Sequence, residues 1–423
     1  MTARSIRSRQ RGVAGLLVTT LLCLATILVV AYASRHIVVE ARVSATQYRT
    51  AQAFEAAEAG IEWAVARLND PARVGADCRP SGDVAATPLR DRWLGFQGSD
   101  GRLLPATWND AGVPVPLRAA CVRTAGGWMC SCPLDSAPAL PSPVGNATAP
   151  AFSIELSAAP QAGIVRIVSM GCTRRDANCS AASGTSHDAT SRIEAAFVLW
   201  PALRSAPVAA LTVRGEVTVG AAAIGAHQRD GASGGLALHA GGAVDASAIR
   251  LTAPAGSSLA GSLVAADATL AGLDPERFFM RWFGMGITAW RTQAAVTTVA
   301  CVGDCTGALR AAVDTGSRLV YVDGDAAITG PAVFGTPDDP VVVVARGPLR
   351  MSGAVTLHGV IYGAALRWDD AVAPAALVRG ATLVAGHYTG NGAPDFVHDT
   401  AILERLKTRA GSFVRVDGSW KDF

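Results

Sequence analysis

Lysine is almost absent from this sequence of 423 residues, in which Lys407 and Lys421 are the only two. Charged residues of all kinds make up only 17% of the chain, whereas half of it is apolar. That balance allows large cores and argues against disorder. The formal net charge is +3, but residues 1–12 contain four arginines and no acid, so everything after them sums to −1. A nearly neutral body lacks the basic surface of a nucleic-acid-binding protein.

Charge is also missing from residues 13–34. At 1.5 Å per residue, these would form a helix of about 33 Å, which is long enough to cross the core of a bilayer. The arginines before it are expected to stay in the cytoplasm, so that the rest of the chain crosses the membrane. Residues 31–33, "AYA", also fit signal-peptidase cleavage, although the apolar stretch is longer than the roughly 7–15 residues of an ordinary signal core.

Residues 49–70 continue the helical pattern. Their apolar positions recur three and four residues apart and form one stripe, which consists of Ala53, Phe54, Ala57, Ile61, Ala64, Val65 and Leu68. Three glutamates lie largely off this stripe, and Pro71 is expected to end the helix. Because residues 35–49 contain neither Gly nor Pro, one long helix is predicted over residues 13–70. A discarded signal peptide would not need such an extension.

The leader "RQRG", the uncharged helix and the later "AFEAAEAGIEWA" together resemble the N-terminal region of PilX-type minor pilins of type IV pili. The resemblance implies that a prepilin peptidase removes residues 1–12 as a leader by cutting between Gly12 and Val13. It also implies that the mature helix contacts other minor and major pilins, and the assembly residues expected on it are Leu17, Phe54, Ile61, Val65 and Leu68.

Leu17 departs from the pilin pattern, because major pilins carry a glutamate at this fifth mature position. A glutamate in the bilayer is costly and needs a partner, which in pilins is the neighbouring subunit's N-terminal amine. Without it, a place at the pilus tip is expected, where an adhesin or a surface ligand could be the partner. The protein would first be a single-pass inner-membrane protein with its bulk in the periplasm, and later part of the pilus at the cell surface. A tip pseudopilin of a type II secretion system and a generic membrane anchor are the alternatives.

The number and placement of the cysteines support export of the chain across the inner membrane. Cys23 lies in the membrane helix, and an even number follows it, as expected for disulfides made in the periplasm. Short loops could join Cys172 to Cys179 and Cys301 to Cys305. The other four allow three pairings that the sequence leaves open; they are Cys78, Cys121, Cys130 and Cys132. The "CSC" spacing is not that of a zinc knuckle and no histidine accompanies it, so no metal is expected.

Two β-rich segments follow the helix. Residues 71–200 contain runs that alternate at period two and end in turn residues, as antiparallel strands do: "AFSIELSAA", "GIVRIVSMGC" and "RIEAAFVLWP". Together with the resemblance, they predict an α+β pilin-like part in which the long helix packs on an antiparallel sheet.

Residues 208–423 contain short apolar runs separated by Gly and Asp corners. This texture predicts a mainly-β domain, either a β-solenoid (β-helix) or, as the alternative, a β-sandwich. A helical insertion is predicted near residues 273–285, with Asp274 as its N-cap and Pro275 in its first turn. We expect it to cover an open end of the solenoid.

Signals of catalysis are weak. "GASGG" at residues 231–235 matches the nucleophile-elbow pattern but does not follow a sequence typical of a buried strand. Three aspartate pairs could form a carbohydrate-active site, but Asp beside Gly or Pro commonly stabilises a turn; the pairs are Asp323 with Asp325, Asp338 with Asp339, and Asp369 with Asp370. His239, His358 and His387 are expected to be structural. The prediction is a non-enzymatic protein without a cofactor, and a membrane-anchored β-helix enzyme is the remaining alternative.

Overall fold

The structure, a computed structural model, describes residues 11–75, 78–83, 86–97, 101–133, 140, 149–174, 179 and 189–423, with only the backbone of residues 11 and 12. Its first element is one helix, α1 (Arg11–Asn69). The predicted long helix is thus confirmed, and it ends two residues before Pro71. Residues 1–10 of the predicted leader lie outside the described part of the chain.

Antiparallel strands dominate the next part of the chain. In chain order its elements are β1 (Arg73–Val74), β2 (Thr87–Pro88), α2 (Leu89–Trp93), β3 (Leu94–Gln97), β4 (Arg102–Pro105), β5 (Thr107–Asp110), β6 (Val113–Pro116), β7 (Arg118–Thr124), β8 (Gly127–Cys130), β9 (Ala151–Ala158), β10 (Ile164–Cys172) and β11 (Thr190–Pro201). Strands β9, β10 and β11 coincide with the three alternating runs in the sequence, and they pair antiparallel with one another. Every second residue of β11 from Ser191 to Leu199 is buried, so the period-two pattern marks the face that meets the core.

The second half of α1 and this sheet share one hydrophobic cluster. Ile61 and Leu68 of α1 lie in it together with Phe152 of β9 and Ile167 of β10. The approach is close at Gly171 of β10, where a Cβ atom would lie 2.1 Å from the backbone oxygen of Ala53. A side chain at Gly171 would therefore push the helix away from the strand.

Parallel strands form most of the remaining β structure. In chain order its elements are β12 (Leu211–Val213), β13 (Val217–Val219), β14 (Ile224–His227), β15 (Leu238–Ala240), β16 (Ile249–Thr252), β17 (Leu263–Val264), α3 (Ala268–Ala271), α4 (Pro275–Phe283), α5 (Ile287–Arg291), β18 (Val296–Val299), α6 (Thr306–Asp314), β19 (Leu319–Val322), β20 (Ala326–Thr329), β21 (Ala332–Phe334), β22 (Val341–Ala345), β23 (Pro348–Ser352), β24 (Val355–Gly363), β25 (Ala365–Asp369), β26 (Val372–Val384), β27 (Tyr388–Gly390), β28 (Ala393–His398), α7 (Thr400–Thr408), β29 (Gly411–Arg415) and β30 (Lys421–Asp422).

Strands β12 to β28 build two sheets, between which the chain passes back and forth. The larger sheet contains the row β16-β14-β28-β26-β24-β22-β19-β18, and the smaller one is β13-β27-β25-β23-β20. From β22 onward, successive strands belong alternately to the larger and the smaller sheet, and their pairing with the preceding strand of the same sheet is parallel. The antiparallel sandwich that the sequence left open is therefore excluded for this segment.

Both faces of the larger sheet are covered. In β22, Val341 and Val343 face an interior cluster that strands of both sheets share, whereas Val342 and Val344 face an outer cluster. The outer cluster is closed by the aromatic face of α4 and by α7. As predicted, Asp274 caps α4, since its Oδ1 accepts a hydrogen bond of 2.8 Å from the backbone N–H of Arg277. The helix lies on a sheet face, so the expectation that it covers an open end is wrong.

The end of the interior core near β18 and β20 is closed by a different element, α6. Leu309 and Ala312 of α6 belong to the interior cluster, as does Cys305, which is bonded to Cys301 just before the helix. At the end of the chain, β29 and β30 leave the parallel sheets and pair antiparallel with β11. The segment predicted as residues 208–423 therefore completes the antiparallel sheet of the part before it.

Candidate functional site

The N-terminal half of α1 stands free of the folded body. Every residue from Val13 to Tyr48 is exposed, and burial begins only near Ala53. At 1.5 Å per residue the free part is about 54 Å long, and its uncharged section is long and apolar enough to span a membrane. This single helix is the candidate functional site, and its composition fits a lipid environment better than water.

The threonine and serine hydroxyls within the uncharged section are satisfied by the helix itself. The hydroxyls of Thr19, Thr20 and Thr26 donate to backbone carbonyl oxygens three or four residues earlier, at distances of 2.8–3.1 Å. Ser34 donates in the same way to the oxygen of Ala31, at 3.0 Å. Because these groups need no outside partner, they add little cost to burial in hydrocarbon.

The five predicted assembly residues fall into two groups. Leu17 is 56% exposed on the free part of the helix, so it is open to contact with lipid or another subunit. Ile61 and Leu68 are only 1% exposed inside the chain's own core, and Phe54 and Val65 are packed against it. The four residues of the second group thus make intramolecular contacts, and their direct role in assembly stays a prediction.

All eight cysteines after α1 form disulfides, and Cys23 is free and exposed. The two short loops are closed as expected, by Cys172 with Cys179 and by Cys301 with Cys305. Of the three pairings left open for the other four, the structure has Cys78 with Cys132 and Cys121 with Cys130. The second bond joins the directly paired strands β7 and β8.

The aspartate pairs are engaged with arginines. Asp323 lies 3.1 Å from Arg291, Asp325 lies 3.7 Å from Arg350, and Asp338 lies 2.9 Å from Arg405. Asp339 and Asp369 contact Arg318 and Arg367. The sixth, Asp370, is in a turn with a positive φ of 52°. The hydrogen bond with Arg367 holds the pKa of Asp369 below its ordinary value, which disfavours a role of this carboxyl as general acid.

The other catalytic signals have structural partners. In the "GASGG" loop, the Ser233 hydroxyl donates to the Asp230 backbone oxygen at 2.9 Å and accepts from Gln228 at 2.8 Å. His239 is 2.7 Å from Asp267, and His387 accepts from the Glu216 N–H at 3.1 Å. His358 lacks such a partner, because its buried Nδ1 has no hydrogen bond in the described chain, and its structural role stays a prediction. No group of three or more potential metal-ligating side chains occurs among the described residues.

Sequence reasoning missed a buried charge network where the antiparallel and parallel parts meet. Asp91 of α2 bridges two arginines, with Arg90 at 3.2 Å and Arg318 at 2.8 Å, and Arg318 also contacts Asp339. Burial raises the pKa of Asp91, but the two guanidinium groups outweigh it and hold that pKa below its ordinary value. The partners are 227 residues apart in sequence, so no local pattern could have indicated them.

Comparisons with protein-family models, curated proteins and solved structures found no match.

Proposed function

We propose that this protein is a non-enzymatic, PilX-like minor pilin that is anchored in the inner membrane and acts in type IV pilus assembly, at or near the pilus tip. The observation that carries this proposal is the continuity of α1, whose free apolar half passes without a break into a half that belongs to the folded core. A helix of this kind can hold a domain at the membrane first and in a fibre later. The basic leader ending at Gly12 adds to the argument.

We also infer that the N-terminal part has the pilin layout and that the parallel part is a β-solenoid. For the first, the support is the close packing of α1 on β10 at Gly171. For the second, it is the alternation of successive strands between two parallel sheets. The solenoid would then be inserted before the last strands of a pilin-like sheet.

The N-terminal sequence of the mature protein tests the proposal. Purified from membranes, the protein should begin at Val13, and deletion of the prepilin peptidase should leave the leader attached. A Gly12→Val variant should also remain uncleaved, whereas Gly15→Val, three residues further on, should be processed normally. A mature protein that begins at Ser34 would identify an ordinary secreted product and overturn the pilin proposal.

The proposed position at the pilus tip rests on Leu17 and on the size of the parallel domain. A subunit without the glutamate of shaft pilins has no carboxylate to offer to a neighbour's N-terminus. A parallel domain of about two hundred residues on every shaft subunit would also crowd helices that must pack closely. Immunogold labelling should find few copies at one end of the pilus, and deletion should reduce piliation or adhesion. Even labelling along the shaft would contradict this assignment.

Leu17 equally favours the second candidate, a tip pseudopilin of a type II secretion system. Neighbouring genes distinguish the two, since minor-pilin genes would support the first and secretion-system genes the second. The carbohydrate-enzyme alternative is weaker, because the aspartates that would perform the chemistry contact arginines. A screen for cleavage of acidic polysaccharides tests it directly.

A further inference from the structure

A cavity of about 210 Å³ lies where the antiparallel part meets the parallel part. One wall comes from α2 and β3, with Arg90, Asp91 and Phe96. The opposite wall comes from the loops before β19 and β22 and from α7. Pockets for drug-sized ligands measure about 300–1,000 Å³, so this cavity suits one smaller unit.

The walls contain four arginines and three aspartates. The aspartates are all paired, as Asp91 and Asp339 belong to the buried network with Arg90 and Arg318, and Asp338 lies 2.9 Å from Arg405. Arg409 is the remaining cation. Its guanidinium lies 5.6 Å from the ring centre of Phe96, and it faces no carboxylate in the described part of the chain. Among the described residues that line it, the cavity thus has one positive charge in excess.

One of the arginines in the walls is shielded from water. Arg90 is only 7% exposed, and it shares its partner Asp91 with Arg318. Burial, together with the nearby Arg318 charge, lowers the pKa of Arg90, although Asp91 opposes this effect. A buried cation that shares its carboxylate partner with a second cation is costly in free energy. A bound anion would relieve that cost.

Two features of the walls define the anion. Guanidinium groups bind carboxylates in a planar, two-point geometry. Three fixed carboxylates in the same walls would repel a multiply charged anion, but they accept hydrogen bonds from hydroxyl groups. Asp338 is well placed for this, because its side chain is 89% exposed at the rim. The matching ligand has a single negative charge and several hydroxyl donors.

We propose that this cavity binds the acidic sugar unit of a saccharide, with its carboxylate at Arg409 and Arg90 and its hydroxyls at Asp338. The proposal does not depend on membership of a pilus. It concerns binding by the folded chain alone, so its test can fail while the N-terminal processing test succeeds, and the reverse.

Calorimetry on the detergent-solubilised full chain tests the ligand class, with D-glucuronate, D-glucose and inorganic phosphate as probes. Glucuronate should bind with a measurable affinity and at least about tenfold more tightly than the other two, since only it matches both the charge and the hydroxyls. Equal or tighter binding of glucose or phosphate, or no binding of glucuronate, would overturn the proposal.

Variants at the exposed rim test the site without disturbing the core. Arg409→Gln should weaken glucuronate binding about tenfold or more. Asp338→Ala should weaken glucuronate binding but strengthen phosphate binding, because it removes a hydroxyl acceptor as well as a repelling charge. Arg350→Gln removes an arginine that is 66% exposed and lies outside the cavity, so it should change nothing. Equal losses in Arg409→Gln and Arg350→Gln, or tighter glucuronate binding by Asp338→Ala, would contradict the assignment.

Discussion

Gly171 illustrates how a single residue sets the distance between two elements. A Cβ atom there would lie 2.1 Å from the Ala53 oxygen and 2.4 Å from the Ala57 nitrogen, both backbone atoms of α1. No change of rotamer can relieve such an overlap, so the helix would have to move and leave the cluster around Ile61 less well packed.

We therefore predict that Gly171→Ala lowers the free energy of unfolding by about 1–3 kcal/mol. Gly126, in the turn between β7 and β8, is the matched control because a Cβ atom there would meet nothing within 4 Å. Gly126→Ala should change stability by no more than about 0.5 kcal/mol. Urea denaturation in detergent measures both, and equal effects would show that α1 does not pack this closely.

Asn69 is a second residue whose role only the structure explains. Its side chain, 5% exposed, donates to the Phe413 oxygen at 3.0 Å and accepts from the Phe413 N–H at 2.7 Å. The last residue of α1 is thereby tied to β29, which lies 344 residues further along the chain.

Asn69→Ala should cost about 2 kcal/mol, because it leaves two backbone groups of a buried residue unsatisfied. Asn109, an exposed residue whose Oδ1 accepts from Gly112 at 2.7 Å, serves as the control. Asn109→Ala should cost no more than about 0.5 kcal/mol, as read from the same denaturation curves. A loss at Asn69 no larger than that at Asn109 would argue against this tie.

At the scale of elements, the two halves of α1 differ in their surroundings, since the first is exposed and the second is packed in the core. The first half depends on an uncharged surface, whereas the second depends on close packing. Arginine at the centre of a membrane helix costs about 2.5–3.5 kcal/mol. Leu21 and Leu24 lie within the uncharged section and are 59% and 60% exposed, so substitutions there affect the membrane and not the core.

The double variant Leu21→Arg/Leu24→Arg should lose retention in carbonate-washed membranes, while the soluble body stays folded by circular dichroism. Val43→Arg/Tyr48→Arg adds the same charge to exposed positions beyond the uncharged section and should remain in the membrane. Retention of the first variant at the level of the second would mean that residues 13–34 are not the anchor.

The elements themselves were largely predictable, because they depend on local patterns. Period-two alternation predicted β9, β10 and β11, and Asp274 with Pro275 predicted the start of α4. The sequence could not predict which element packs against each face of a helix or sheet. The aromatic side of α4 would suit an open end of the domain as well as a sheet face. Only its contact with the outer valines of β22, which lie far along the chain, distinguishes the two.

In the candidate site, too, local features could be predicted from the sequence, whereas contacts between distant residues could not. The uncharged section of α1 is defined by its composition alone, so it could be recognised in the sequence. Ile61 and Leu68 share a stripe whose periodicity predicts burial, but periodicity does not say whether the cover is another subunit or the chain's own sheet. The buried network around Asp91 joins residues that are distant in sequence, so it left no local signal.

For the molecule as a whole, the chain path connects the two β parts. The parallel sheets lie between β11 and β29 in sequence, and β29 returns to pair with β11. The last strands therefore stabilise the first part of the chain, while the interior core of the parallel part uses residues 210–396 only. Removing the C-terminal strands should thus destabilise the antiparallel sheet and the second half of α1, although both lie far from the C-terminus in sequence.

We predict that deletion of residues 411–423 speeds amide hydrogen exchange in β10, β11 and residues 53–69 of α1 by about tenfold or more, because β11 becomes an edge strand and Asn69 loses both bonds to Phe413. Strands β22 and β24 should keep their protection, since none of their partners is removed. Deletion of residues 421–423 is the control, as it removes β30 with its short pairing to Ile193 and Glu194 and the contacts of Phe423 with Arg192, but leaves β29 in place. Protection lost equally in β22 would mean that the two parts unfold as one unit, and unchanged exchange in α1 would mean that the helix is held without the returning strand.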